Sequence, residues 1–160
     1  MNGSWYQVVI PIIALGEFAS TVASLLTPYL LKKGKEAVQS IGNDAFAKTE
    51  EFLETLRKKW FNDKDSSDTL KKYEEKPETQ DAFKGTLEEK MKNNPELVEY
   101  AKNFVGNTGP QLIVNFEAGT VDDSTIARIK SIASGNVKID MKADVLRGKS
   151  VGLDIGNIGR

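Results

Sequence analysis

Cysteine and histidine are both missing from the 160 residues of this chain. The first absence excludes disulfides, thiolate metal sites and thiol nucleophiles. The second removes the commonest general base near neutral pH and the commonest transition-metal ligand. Metallohydrolase and histidine-triad chemistry fall away, and an enzyme would have to run on carboxylates, lysines or hydroxyls. A patch of one charge sign is also missing. The net charge is −1, and basic residues interleave with acidic ones, so no nucleic-acid partner is expected. Ligand loops are absent too. Asp122-Asp123-Ser124-Thr125 lacks the alternating oxygens, sharp-turn glycine and closing glutamate of a calcium loop. Ser134-Gly135-Asn136 and Gly156-Asn157-Ile158-Gly159 lack the glycine spacing of nucleotide loops. All three read as turns, and the expectation is a non-enzymatic protein with no catalytic residue, no cofactor and no metal.

What the chain does have is one long apolar run. Between Trp5 and Leu31 the only charged side chain is Glu17, and the run stops at Lys32, Lys33 and Lys35. About 20 apolar residues suffice to cross a bilayer. Against a span stand Glu17, the small polar residues Ser20, Thr21 and Ser24, and the prolines Pro11 and Pro28; a carboxylate in mid-bilayer costs about 2.5–3.5 kcal/mol. Leu15, Phe18, Val22, Leu25 and Tyr29 recur at helical spacing, so the same segment also reads as a packed helix. The two readings are compatible in sequence. In the first, Trp5 and Tyr6 sit at a lipid interface and Lys32 and Lys33 touch anionic headgroups; in the second they are core aromatics and surface lysines. Burial of Glu17 would raise its pKa as a functional carboxylate requires; the plainer alternative is a residue facing water. The run lacks the flanks of a secretory signal, and lysines following it would keep the bulk of the chain cytoplasmic, with membrane association on activation.

From Glu36 to Val105 the chain is densely charged, with 12 basic and 16 acidic residues. Val38, Ile41, Ala45, Phe52, Leu56 and Trp60, with Thr49 at the missing step, predict an amphipathic helix over 35–61 that Gly42 and Asn43 can kink. Asn62 to Ser67 reads as a loop. Leu70 and Tyr73 mark a short helix stopped by Pro77, and Thr79 can cap a further one with Phe83, Leu87 and Met91 inside. Asn94-Pro95 starts a last helix bearing Leu97, Val98, Ala101, Phe104 and Val105, which Gly106 ends. The fold class expected is mainly α: a helical bundle of four or five helices over 1–106, led by an apolar helix over 5–31.

Asn107-Thr108-Gly109-Pro110 reads as a boundary, followed by a Gly-punctuated, β-rich tail over 107–160. Leu112, Val114 and Phe116 alternate, as do Val137, Ile139, Met141, Ala143 and Val145 against Lys138, Asp140, Lys142 and Asp144. Val137-Lys138-Ile139-Asp140-Met141 is repeated as Val151-Gly152-Leu153-Asp154-Ile155, each copy preceded by a glycine, Gly135 or Gly148. Val114-Asn115-Phe116-Glu117 echoes the pattern. Such a tail can cover the bundle as a small antiparallel sheet, stack between copies through Val137, Ile139, Val151, Leu153 and Ile155, or stay unfolded.

An apolar helix over Val8 to Leu31 leading a helical bundle, with the Gly148-to-Gly159 tail, resembles in layout a class of bacterial, especially cyanobacterial, conflict-system proteins. These are similar to fungal HeLo-type cell-death domains and carry effector-associated helical modules, often with a C-terminal amyloid-like motif. The Ile155-Gly156 pair followed by asparagine is loosely similar to the core of RIP-homotypic motifs. The resemblance implies a defence or regulated-death protein that oligomerises and perturbs a membrane on a trigger from a receptor or protease. Its partners would be itself, a membrane surface and that receptor or protease. The alternative is an adaptor for protein–protein interaction whose first helix is core.

Overall fold

The computed structural model describes residues 12–32, 35–116, 119–135 and 137–141. Its organising element is α1 (Leu15–Leu31), which buries Leu15, Phe18, Ala19, Val22, Ala23, Leu25, Leu26, Tyr29 and Leu30. Apolar residues covering more than one stripe suit a helix surrounded by others rather than one lying on a surface. Accordingly α1 packs against α4 (Gln80–Lys92), α5 (Pro95–Asn115) and α6 (Asp123–Ser134).

The remaining helices form a shell. In α2 (Lys35–Lys59) the step between Ala45 and Phe52 is filled by Thr49, wholly buried, whose hydroxyl donates to the Ala45 carbonyl at 2.8 Å. Gly42 breaks the helix with φ 87° and ψ 161°, a combination open essentially to glycine alone. Trp60 turns inward against Phe83, 6.2 Å between ring centroids. Asp63 then caps α3 (Lys64–Glu75), accepting from the Ser66 N–H at 3.2 Å. Lys90 of α4 pairs with the same carboxylate, and the two contacts hold Asp63 down to about 2. A 3-10 turn, Pro77–Thr79, leads into α4, whose inner face is Phe83, Leu87 and Met91. Asn94 caps α5 through the Leu97 N–H at 3.1 Å, with Pro95 in the first turn.

Two three-residue strands close the fold: β1 (Ile12–Ala14) and β2 (Lys138–Asp140) pair in parallel, Ile13 opposite Ile139. Val137 and Ile139 are buried and Lys138 faces water, the period-2 alternation of a half-buried strand.

The architecture is mainly helical, with six α-helices among the described residues, but it departs from the sequence expectations in six places. The leading helix begins at Leu15 and not Trp5, because Ile12 to Ala14 are extended against β2. α3 starts at Lys64, inside the expected loop, once Asp63 supplies the cap. Thr79 stands before α4 without capping it, since its hydroxyl donates back to the Lys76 carbonyl at 2.8 Å.

The fourth departure is α5, which does not end at Gly106 but runs through Gly109-Pro110 to Asn115, so Leu112 and Val114 are helical. An internal proline costs a helix about 3 kcal/mol. Burial of Leu112 and the close approach of α5 to its neighbours oppose that cost. A Cβ on Gly109 would lie 3.0 Å from Ile129 Cγ2 and 3.2 Å from Leu25 Cδ1. The glycine is a contact surface, not a terminator.

The fifth is α6, in the segment expected to be β. Asp122 of the supposed turn is its N-cap, accepting from the Thr125 N–H at 2.8 Å, and Gly135 ends it in the left-handed conformation. The sixth is the sheet, which is parallel, not antiparallel: β2 pairs with β1, which directly precedes α1, and not with a neighbouring strand of the tail. The repeat copy at 151–155 lies outside the described residues.

Candidate protein-interaction site

The apolar stripe that a membrane-active first helix would present is turned inward, with Leu31 at its end 64% exposed. Leu15, Phe18, Val22 and Leu25 are fully buried, while Glu17 is exposed. Lys32 follows the last turn, its backbone N–H bonded to the Pro28 and Tyr29 carbonyls at 3.3 and 3.1 Å. Val137 and Ile139 pack in the core beside β1, whereas Trp5, Lys33, Val151, Leu153 and Ile155 lie outside the described residues. No helix among the described residues is long and apolar enough to cross a membrane. Nor does any cluster of acidic side chains among them suit a metal ion.

Polar contacts tie α1 to the shell. Tyr73 and Thr27 hydroxyls meet at 2.6 Å, and Thr27 donates onward to Gln80 Oε1 at 3.1 Å. Burial pushes the Tyr73 hydroxyl well above its usual range. Tyr29 donates to Glu50; burial first, then that bond, pushes its hydroxyl up as well. In both, the shift favours the protonated phenol. On α6, Arg128 reaches back to α1, its Nε donating to Thr21 Oγ1 at 2.9 Å.

Two surface features remain. The first is a groove where α2 and α5 run antiparallel. Phe52 stacks on Phe104 with centroids 4.5 Å apart and on Tyr100 at 5.8 Å. Thr55 Oγ1 lies 2.8 Å from the Tyr100 hydroxyl, and Lys59 pairs with Glu96 at 3.2 Å. These contacts bridge the helices and leave two shallow spaces along the groove, about 200 Å³ beside Lys48 and Asn107 and about 380 Å³ beside Lys59, Glu96 and Glu99, with no exposed large apolar side chain among the residues that line them.

The second is the corner between α2 and α3. The inward stripe of α2 continues onto Trp60 just past its end, and Phe61, on the side opposite Phe52 by helical spacing, points away from the core. Phe61 is 75% exposed. A depression of about 400 Å³ lies on one side of it, floored by buried Leu70 and walled by Arg57, Lys71 and Glu74; another of about 350 Å³ lies beside Glu54 and Lys58. The corner is braced. Arg57 grips Glu74 with two bonds, Nε–Oε2 at 3.1 Å and Nη2–Oε1 at 2.5 Å, and reaches Glu54 at 2.9 Å. The Glu74 contact is the main reason the guanidinium is held more basic than usual. A large exposed aromatic on a rigid corner, flanked by hollows, is the composition of a partner-binding anchor.

The sequence reading did not single out Phe61. The signal was available: it is the one large apolar residue of 50–61 that falls out of phase with Phe52, Leu56 and Trp60. Comparison with protein-family models, curated proteins and solved structures finds no match to this chain.

Proposed function

We propose that this chain is a protein-interaction module, an adaptor whose first helix is permanent core and whose function is exercised through the α2–α3 corner, without turnover of a substrate. The observation that carries the reading is Phe61, 75% exposed between two hollows on a braced corner. The resemblance in layout to bacterial conflict-system proteins supplies the setting: a cytoplasmic defence or cell-death pathway in which such a module links a receptor or protease to an effector.

Energetics separate this reading from direct membrane damage by α1. Withdrawing α1 would expose Leu15, Phe18, Val22, Leu25, Leu26, Tyr29 and Leu30, all buried. At about 1.5–3 kcal/mol per side chain the loss is on the order of 10–20 kcal/mol. A whole domain is held by about 5–15 kcal/mol. Releasing α1 therefore amounts to unfolding the bundle.

The experiment is a photo-crosslinking residue placed at Phe61 in the native host, with the same residue at exposed Glu78 as control. Crosslinks specific to position 61 support the module; equal yields at the two positions, or none, overturn it.

A further inference from the structure

We infer that the partner of the α2–α3 corner is a second copy of this chain, paired about a two-fold axis with each Phe61 ring seated in the other's hollow; this rests on the reading of that corner as a binding surface. A two-fold interface brings a patch against itself, so the patch must carry both the protruding group and the space that receives it. This corner carries both. Phe61 protrudes, and it borders the depression of about 400 Å³ floored by Leu70. A cavity of about 150 Å³ is enough to hold benzene, so a phenyl ring fits with room for its rim.

The charges satisfy the same condition. Around Phe61 stand Arg57, Lys58 and Lys71 with Glu54, Glu74 and Glu75. A patch of one sign would repel its own copy, whereas here Arg57, Glu54 and Glu74 are paired within the chain and Lys58 and Lys71 can face Glu75 of the other copy across the axis. The frame that carries them is already fixed. Arg57 is locked to Glu74 and Glu54, and Trp60 is anchored in the core beside the exposed ring, which lowers the ordering cost of association. One corner is a small surface, so the dimer is weak and dissociates on dilution.

Sedimentation velocity of the full chain over a wide concentration range tests this, alongside Phe61→Ser, Lys71→Glu and Glu75→Lys. The wild type is expected to shift reversibly from monomer to dimer. Phe61→Ser should weaken pairing about thirtyfold or more, as loss of an interface anchor does, with an unchanged circular dichroism spectrum. Lys71→Glu and Glu75→Lys should each weaken it alone, because each tips the patch to one sign, and should pair with one another when mixed. A wild type that stays monomeric throughout overturns the inference, as does a dimer that survives Phe61→Ser or a mixture no better than its parts. Position-61 crosslinks to a different protein, with a monomeric chain, overturn self-pairing and leave the interaction module standing.

Discussion

Replacing Gly109 by alanine, beside the same change at Gly85, isolates the packing that keeps α5 continuous. Both glycines lie inside helices, α5 and α4. In open space, Gly→Ala within a helix gains about 0.8–1 kcal/mol. Gly85 is such a site, with nothing within 4 Å of an added Cβ. At Gly109 the methyl would meet Ile129 Cγ2 at 3.0 Å and Leu25 Cδ1 at 3.2 Å, and both side chains are fully buried and cannot swing away. Overpacking of this kind costs about 1–3 kcal/mol. Gly85→Ala is therefore expected to stabilise by about 1 kcal/mol, and Gly109→Ala to change stability by between zero and a loss of about 2 kcal/mol. The difference between the variants, about 1–3 kcal/mol, is the packing at the α1–α5–α6 junction. Urea unfolding with a common slope reads it directly. If Gly109→Ala stabilises as much as Gly85→Ala, α5 does not pass tightly between Leu25 and Ile129, and the packing account of Gly109 is refuted.

Three further outcomes follow from named groups. Asp63 sits at about 2 in the folded chain against 3.8 unfolded, so it adds stability that is complete above 3.8 and lost as pH falls through about 2; Asp63→Asn should flatten that acid limb of the urea midpoint, and an unchanged limb would count against the Lys90 and Ser66 contacts. Gly42→Ala should destabilise by about 1–3 kcal/mol through backbone strain alone, since no atom lies within 4 Å of the new Cβ; a gain in stability would mean that α2 is unbroken there. Tyr73→Phe keeps the stack on Phe83, 4.3 Å between centroids, and loses the hydroxyl's contacts with Thr27 and the Ala23 carbonyl, at 2.6 and 3.3 Å; thermal unfolding should register a cost of about 1–3 kcal/mol, and no cost would show that neither contact holds α3 to α1.

The helices of 35–105 were legible because their apolar residues keep a strict 3–4 rhythm and their ends carry local chemistry, Asn94-Pro95 above all. The kink at Gly42 was legible for the same reason: only glycine tolerates that backbone. Beyond residue 106 local signals misled. Gly109 and Pro110 are helix breakers in isolation, and only tertiary contact with Leu25 and Ile129 makes a glycine useful there. α6 was hidden by the louder alternation of 137–145, although Asp122 as a cap and Thr125, Ile129 and Ile132 at helical spacing announce it. The inward role of Leu15, Phe18, Val22 and Leu25 was half legible, because a helix hydrophobic enough for lipid is also hydrophobic enough for the centre of a bundle. What covers it depends on elements 50 to 110 residues away. Phe61 was overlooked because attention to the inward stripe passes over the residue that leaves it.

Hydrogen exchange across α1, with and without anionic lipid vesicles, bears most directly on whether that helix is core or weapon. If it is core, the amides of 18–30 exchange only through global unfolding, at rates set by the urea-derived stability and unaltered by vesicles. Faster exchange of those amides in the presence of vesicles, with the rest of the bundle still protected, would contradict the account.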